Sequence, residues 1–478
     1  MADDLVLVSL TDLGRELARG AISSREVVAA YLDRIAALDD RLHAFVEVFA
    51  SEARAAAEEA DRARRAGAQR GPLHGVPIAL KDLLHLRGRV TTAGSKARPF
   101  GVAQETATVV ARLVDAGMIP LGKTHLVEFA FGGWGCNQPM GAPCNPWDTA
   151  THRVAGGSSS GSGVAVAASL APAALGSDTG GSVRIPAALC GVTGFKPTYG
   201  VVSLAGVFPL AKTLDSVGPL TRHVDDAALL LSIMAGPDPR DPTTQGVPRV
   251  DFAGALVAPP DLTGVRITAL PVEQFPWPCE PAVLAAREAA IATLSALGAT
   301  IEQARAPFDL ESVMVENGRI IAAEAYALHR DYIADDTLGI DPWVRRRTLA
   351  GRDIGPEAYR AALSARERAA AAFAAWMRGR DALLTPTLPI TATSLDEVDE
   401  ATTPLATFTR AVNYLGACGV SLPAGFSEDG LPIGVQLVGA AFADATLVRI
   451  GRAFQSATEW HRRRPDLSAW ESAAPRAR

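Results

Sequence analysis

A run of glycine and serine inside an apolar stretch limits the folds open to this chain more than any other feature. Residues 155–185 read AGGSSSGSGVAVAASLAPAALGSDTGGSVRI. A Gly/Ser run usually marks a flexible linker, but here an apolar segment follows it at once. That segment is typical of a helix at 160–169 and a strand at 173–175. The two Gly/Ser clusters are therefore expected to be tight turns inside a hydrophobic core.

The segments on either side of this run predict an α/β fold. Helical patterns fill most of the first 70 residues, where Ser23 and Glu26 form a capping box. Short apolar strands such as 76–80 then alternate with helices. This alternation predicts a central mixed β-sheet covered by helices, with a helical N-terminal section and a helical lobe at about 310–380.

Changes in composition along the chain predict four parts within one large domain. They are a helical section, a core that holds the Gly/Ser clusters, a variable α/β-helical lobe and a C-terminal part of the core, at 1–70, 71–240, 241–380 and 381–478. A stretch rich in Pro, Asp and Gly at 236–262 is typical of a linker or a surface crossing.

Composition argues against several classes of protein. The chain has 478 residues, 48% of them hydrophobic, and a net charge of -6, which disfavours a nucleic-acid or anionic-membrane surface. No apolar run is long enough to predict a membrane span, and the first residues do not resemble a signal peptide. The five cysteines show no CxxC pair and no zinc spacing. We therefore expect a cytoplasmic protein without a metal site.

Lysine is rare in this chain, and one lysine stands in an unusual place. Only five of the 46 basic residues are lysines. Lys81 follows the apolar strand at 76–80. Arginine keeps its proton in proteins, whereas a desolvated lysine can lose it. A lysine at the end of a core strand, in a chain that otherwise uses arginine, predicts an amine that acts as a base.

The second Gly/Ser cluster predicts a nucleophile. Gly176–Ser182 follows a strand, and a helix can begin at about Ser182. Gly180 and Gly181 allow a tight turn that presents N–H groups at a helix N-terminus, where anions bind. This arrangement suits an oxyanion hole around a nucleophilic Ser182.

The first cluster offers an alternative nucleophile. Gly157–Gly161 fits the pattern G-x-S-x-G with Ser159 at its centre. A nucleophile elbow needs a preceding strand and a histidine with an acid downstream. The segment 151–154 is a poor strand, and no downstream histidine stands in an informative context. The elbow is therefore the weaker hypothesis.

At these residues the sequence resembles the amidase signature family. The shared motifs are GVPIALKD at 75–82, GGSSSGS at 156–162, GSDTGGSVRIP at 176–186 and CGVTGFKPT at 190–198. The resemblance is dense from about 70 to 225 and recurs from about 381 to 440. Ser160 departs from the pattern, because many members carry glycine there. The resemblance implies the amidase signature fold.

The resemblance also implies a Ser–Ser–Lys triad of Ser182, Ser158 and Lys81. Ser182 would attack an amide carbonyl, and Ser158 would pass the proton to a neutral Lys81. In the family this second serine follows a cis peptide bond. Water would then hydrolyse the acyl-enzyme on Ser182. No metal or organic cofactor is implied.

Further positions follow from the same resemblance. Backbone N–H groups of Thr179, Gly180, Gly181 and Ser182 would form the oxyanion hole, with Asp178 and Arg184 as supporting residues that hold the loop. The acyl pocket would be lined by Ala130, Phe131, Gly132 and Gly133. The two glycines of this segment are expected to leave room for a bulky or flat substrate group.

The leading hypothesis is a stand-alone amidase that cleaves a small carboxamide, possibly an aryl amide. We expect it to act as a monomer or homodimer on a small molecule, with no nucleic-acid or membrane partner. The stretch FGGWG at 131–135 favours this class. Two alternatives stay open: the same chemistry on a carbamate (urethane), hydrazide or ester, and the amidase subunit of a tRNA-dependent amidotransferase bound to partner subunits. The complete triad disfavours a non-catalytic relative.

Overall fold

The centre of the molecule is one mixed β-sheet of 11 strands, seen in a computed structural model that describes residues 5–97, 101–402 and 404–471. The strands are β1 Phe45–Val48, β2 Pro77–Lys81, β3 Ile119–Thr124, β4 Ala173–Asp178, β5 Thr193–Lys196, β6 Ser216–Thr221, β7 Arg266–Ala269, β8 Thr300–Gln303, β9 Ala382–Pro386, β10 Cys418–Phe426 and β11 Pro432–Gly439. Their order across the sheet is β1-β3-β2-β4-β6-β5-β10-β11-β9-β7-β8. The predicted α/β fold with a central mixed sheet is confirmed.

Helices pack on this sheet along the whole chain. They are α1 Leu10–Ala18, α2 Ser24–Leu42, α3 Ala50–Arg65, α4 Thr108–Asp115, α5 Ser160–Ala167, α6 Arg184–Cys190, α7 Val224–Met234, α8 Phe252–Val257, α9 Pro281–Ala296, α10 Leu310–His329, α11 Pro342–Leu349, α12 Pro356–Trp376, α13 Arg410–Tyr414, α14 Asp444–Ser456 and α15 Ser468–Glu471. The predicted capping box of Ser23 and Glu26 is present at the start of α2. Within the described ranges, no helix has both the length and the apolar composition that crossing a membrane requires.

The topology places two motif-bearing strand ends side by side. β2 lies between β3 and β4 and runs parallel to both, with Leu80 opposite Leu175. Because parallel strands end at the same edge of a sheet, Lys81 and the glycine-rich turn after β4 meet there. The sheet therefore brings together residues about 100 positions apart in sequence.

Several elements differ from the sequence-based expectation. The helix expected near Ser182 begins at Arg184, so Ser182 lies in the turn before α6. The stretch at 236–262 contains α8, whose Phe252 is buried, so it is more than a linker. β7 and β8 extend the common sheet beside β9; how the chain divides into parts stays a prediction. Strands such as β6 escaped notice because their Gly and Pro are atypical of strands.

Candidate active site

Lys81 is the last residue of β2, and its side chain is fully buried. Its Nζ lies 2.8 Å from Ser158 Oγ and 2.9 Å from both Ser159 Oγ and Ser177 Oγ. Burial lowers the pKa of Lys81 to about 7, against the attraction of the Asp178 and Asp215 carboxylates. A large fraction of this amine is therefore neutral near pH 7, as a base requires.

The hydroxyls around Lys81 are not equivalent. A neutral amine has two N–H donors and one lone pair, so one of the three hydroxyls must donate to Nζ. Ser159 Oγ donates to the backbone oxygen of Ser177 at 3.2 Å, which uses its proton. Ser158 keeps a proton that it can direct to the lone pair of Lys81. This geometry fits Ser158 as the group that delivers a proton to the base.

The backbone holds Ser158 beside Ser182. The Gly157–Ser158 peptide bond is cis, as the resemblance implies. The Gly157 N–H donates to Gly133 O at 2.7 Å, and the Ser159 N–H donates to Ser182 O at 3.2 Å. A side chain at 157 would meet backbone atoms of Gly132 and Gly135 at about 3 Å. The first Gly/Ser cluster is thus a close backbone crossing, which explains its glycines.

Ser182 lies between the end of β4 and the start of α6, and it lines a cavity that opens beside Thr179 and Gly180. The turn depends on Gly181, whose φ of +131° is rarely adopted by residues with side chains. A Cβ at this position would also collide with the side chain of Thr409. The second Gly/Ser cluster therefore turns the chain sharply and presents Ser182 to the cavity, as expected.

One predicted oxyanion donor is used elsewhere. The Gly181 N–H donates to Asp178 Oδ1 at 2.8 Å, and the Val183 N–H donates to Asp178 Oδ2 at 3.1 Å. We therefore expect an oxyanion to be bound by the remaining predicted N–H groups, those of Thr179, Gly180 and Ser182. Gly181 contributes the conformation of the turn instead.

Asp178 and Arg184 form a buried, two-pronged ion pair under this turn. Arg184 Nη2 donates to Asp178 Oδ1 at 2.8 Å, and Nε donates to Oδ2 at 3.0 Å. Burial by itself would raise the pKa of Asp178, but the Arg184 guanidinium holds it at about 2. Arg184 also donates to Gln436 on β11 and to Asn413 on α13. The pair joins the turn to the C-terminal strands, which is the supporting role predicted for it.

We expect Asp178→Asn to lower the free energy of unfolding by about 3–5 kcal/mol, because Arg184 would be left buried without its counter-charge. Denaturant unfolding measures this loss. The exposed pair of Glu459 and Arg462 supplies a control, since Glu459→Gln should cost less than about 1 kcal/mol. Because the folded pKa of Asp178 is depressed, its contribution is present above about pH 4 and is lost as the pH falls toward 2. Equal losses in the two variants would contradict this role.

The predicted acyl-pocket residues line the same cavity as Ser182. Ala130, Phe131, Gly132 and Gly133 form one wall. The expected space beside Gly132 is largely occupied, because a Cβ there would meet Val127 Cγ1 at 2.9 Å and Arg347 Nη2 at 3.1 Å. The glycine thus makes room for an arginine of this chain rather than for a bulky substrate group.

Sequence reasoning missed several residues of the site. Arg347 and Arg410 line the cavity, and Ser177 contacts the base. The two arginines come from segments without shared motifs, in a chain where arginine is common, so nothing in the sequence distinguished them. Ser177 could have been found, because it lies inside the GSDTGGSVRIP motif one residue before Asp178.

The nucleophile-elbow hypothesis does not fit the structure. Ser159 is fully buried, and its hydroxyl contacts Lys81 and Ser177 rather than a histidine. The segment before it forms only isolated bridges through Arg153 and Val154, not a strand. Ser182, at the end of β4, has the exposed position that a nucleophile needs.

Comparison with known proteins agrees with this geometry. A family model described as Amidase matches residues 26–448. A curated relative from Thermosynechococcus vestitus, named as a subunit of glutamyl-tRNA(Gln) amidotransferase, is 40% identical, over 96% of this chain and 99% of the relative.

Two solved structures are similar over nearly their full length. An s-triazine catabolic enzyme, described in a vestigial protein complex, has a TM-score of 0.87 and 34% identity, over 94% of this chain and 98% of the other. The peptide amidase of Stenotrophomonas maltophilia has a TM-score of 0.85 and 32% identity, over 96% and 98%.

These relatives correct one expectation from the sequence. We expected a monomer or homodimer that acts on a small amide with no nucleic-acid partner. The curated relative that matches almost end to end is named as one subunit of an amidotransferase that serves a tRNA. That expectation is therefore wrong, because the acidic net charge on which it was based says nothing about contacts made through other subunits.

Proposed function

Because the chain belongs to the amidase family, we propose that it is the amide-hydrolysing subunit of a multi-subunit amidotransferase, which releases ammonia from a carboxamide. The observation that carries the chemistry is the buried Lys81 held 2.8 Å from Ser158, beside the turn that presents Ser182. The assembly rests on the near end-to-end match to a relative that is named as one subunit of such an enzyme. The cytoplasmic location stays a prediction.

The reaction begins with attack of Ser182 Oγ on the amide carbonyl carbon. The Ser182 proton passes to Ser158 Oγ while the Ser158 proton passes to Lys81 Nζ. Charge develops on the carbonyl oxygen, and the N–H groups of Thr179, Gly180 and Ser182 stabilise it.

Collapse of the tetrahedral intermediate breaks the C–N bond. The leaving nitrogen takes a proton back through Ser158 from Lys81 and departs as ammonia, which leaves an ester on Ser182. Water then attacks the ester carbonyl with the same proton path, and the free acid leaves. A carbamate, hydrazide or ester substrate would follow the same steps with a different leaving group, so a panel of these compounds tests the choice of bond.

The proton path predicts a ranking among adjacent serines. Ser158→Ala should lower kcat by about 10²–10⁴-fold, because the base loses its connection to Ser182. Ser159→Ala should cost less, since Lys81 keeps two of its three hydroxyl contacts. Ser160→Ala is the matched control, because the buried Ser160 hydroxyl has no partner among the described residues. Similar small losses in all three variants would contradict a relay through Ser158.

The assembly is tested separately from the chemistry. The tagged chain is purified gently from the cells that make it, its mass is measured by light scattering, and ammonia release is assayed with and without glutamyl-tRNA. We expect a complex heavier than the 49.9 kDa chain, with ammonia release that responds to the charged tRNA. A homogeneous single chain at full activity, indifferent to tRNA, would overturn the subunit role and leave the amide chemistry standing.

A further inference from the structure

Arg410 lies over the turn that carries the nucleophile. It is the first residue of α13, and its Nη1 donates to Met314 O at 3.3 Å. A Cβ built on Gly180 would be 3.1 Å from Arg410 Cγ and 3.7 Å from Nε. Burial lowers the pKa of Arg410 to about 10, and the nearby charge of Arg347 contributes. The guanidinium still carries its charge at neutral pH, directly beside Gly180.

Arg347, on α11, is the second cation of the cavity. Its Nη1 donates to Glu400 Oε2 at 2.7 Å, and its guanidinium lies 5.7 Å from the centre of the Phe131 ring. Its Nε and Nη2 are buried and have no hydrogen-bond partner among the described residues. Half of this guanidinium is therefore available for a ligand.

Asn317, on α10, adds a third polar group with unused hydrogen-bonding capacity. It is fully buried, and its Oδ1 lies 3.3 Å from a Cβ built on Gly180. In the part of the chain that the structure describes, neither Oδ1 nor Nδ2 has a partner. Buried polar atoms are nearly always paired in proteins. An amide without a partner next to Gly180 thus indicates a ligand that completes its hydrogen bonds.

The charges around the cavity are unbalanced. Of the described residues that line it, two are arginines and none is acidic. Glu400 offsets one prong of Arg347 only. Two guanidinium groups this close repel each other unless an anion lies between them, and guanidinium groups bind carboxylates through paired hydrogen bonds.

We propose that the substrate's acyl group carries a carboxylate, which Arg347 and Arg410 bind, with the amide of Asn317 as a further donor. This inference rests on the proposed function and names the substrate class for the same site. The class is the ω-carboxamide of a carboxylic acid. Glutamine and its amino-free counterpart glutaramate share this chemistry. The lining offers no free carboxylate for an α-ammonium group, so glutaramate should be accepted at least as well as glutamine.

The kinetic test compares glutaramate, glutamine and the neutral pentanamide by ammonia release, using the protein as purified above. Arg347→Gln and Arg410→Gln should each lower kcat/KM for the two anionic amides by about 10–100-fold, mainly through KM, and should change pentanamide little. Arg346→Gln is the matched control, because Arg346 is an exposed arginine on the same helix. Equal preference for pentanamide, or equal losses on all three amides, would overturn the proposal.

A binding measurement separates this inference from the proposed function. Titration of glutarate into the Ser182→Ala variant by calorimetry needs no turnover. We expect binding that is lost when Arg410→Gln is added. Binding without hydrolysis in the wild type would support the pocket and sink the proposed reaction. Hydrolysis of neutral amides without glutarate binding would do the reverse.

Discussion

Ser182→Ala is expected to reduce amide hydrolysis on the order of 10⁶-fold, the loss seen when a serine hydrolase is deprived of its nucleophile. The substitution removes one oxygen from a side chain at the cavity wall and leaves Gly181 and the Asp178–Arg184 pair in place. The fold should therefore be retained, with an unchanged thermal midpoint. Ammonia release under single-turnover conditions measures the loss.

A covalent adduct provides the positive side of this prediction. With a slowly deacylating substrate, mass spectrometry should show the acyl mass on Ser182 in the wild type and on no serine in the alanine variant. Recovery of the adduct on Ser159 would revive the elbow hypothesis, which the burial of that hydroxyl disfavours.

Lys81→Arg is expected to be nearly as damaging as Lys81→Ala, with losses of several orders of magnitude in kcat. The guanidinium cannot release its proton near neutral pH and so cannot accept one from Ser158. Both variants are compared by kcat, with the thermal midpoint as a check on folding. Substantial activity in the arginine variant would remove the role of Lys81 as a base.

The same role predicts a pH profile. Burial gives Lys81 a pKa of about 7, so the neutral, active form increases as the pH rises through that value. The kcat/KM should therefore climb on the acidic side and level off above about pH 8. A profile that stays flat from about pH 5 to about pH 9 would contradict it.

Asp215 must be separated from Lys81 in this profile. Burial raises the pKa of Asp215 to about 7 as well, and its carboxylate accepts a hydrogen bond from Thr179 Oγ1 at 2.5 Å. Its charge also favours the protonated form of Lys81. In Asp215→Asn the limb should move to lower pH if it belongs to Lys81, and it should disappear if it belongs to Asp215.

Much of the chemistry was predictable from the sequence, because the reacting groups lie in short motifs whose local geometry depends on their own residues. Gly181 permits the turn before Ser182, and Asp178 binds the N–H groups of that same turn. A buried lysine at a strand end was recognisable in a chain that otherwise uses arginine. The fold class followed from the alternation of strands and helices.

The order of the strands was decided by tertiary structure. β2 and β4 are separated by almost 100 residues, and only their parallel pairing places Lys81 beside the turn of Ser182. The identity of the free oxyanion donors was decided there too, because Gly181 is of the right type but spends its N–H on Asp178.

The acyl pocket divides the two sources of information most clearly. By itself the sequence determined the reaction centre, since Lys81, Ser158 and Ser182 stand in motifs that few other structures could use. It did not determine what the pocket binds, because Asn317, Arg347 and Arg410 come from three separate segments and resemble ordinary helical residues. Only the packing of α10, α11 and α13 against the turn buries these groups beside Gly180 and Gly132. Burial is what turns common polar side chains into a binding site, because water no longer satisfies their charges and hydrogen bonds.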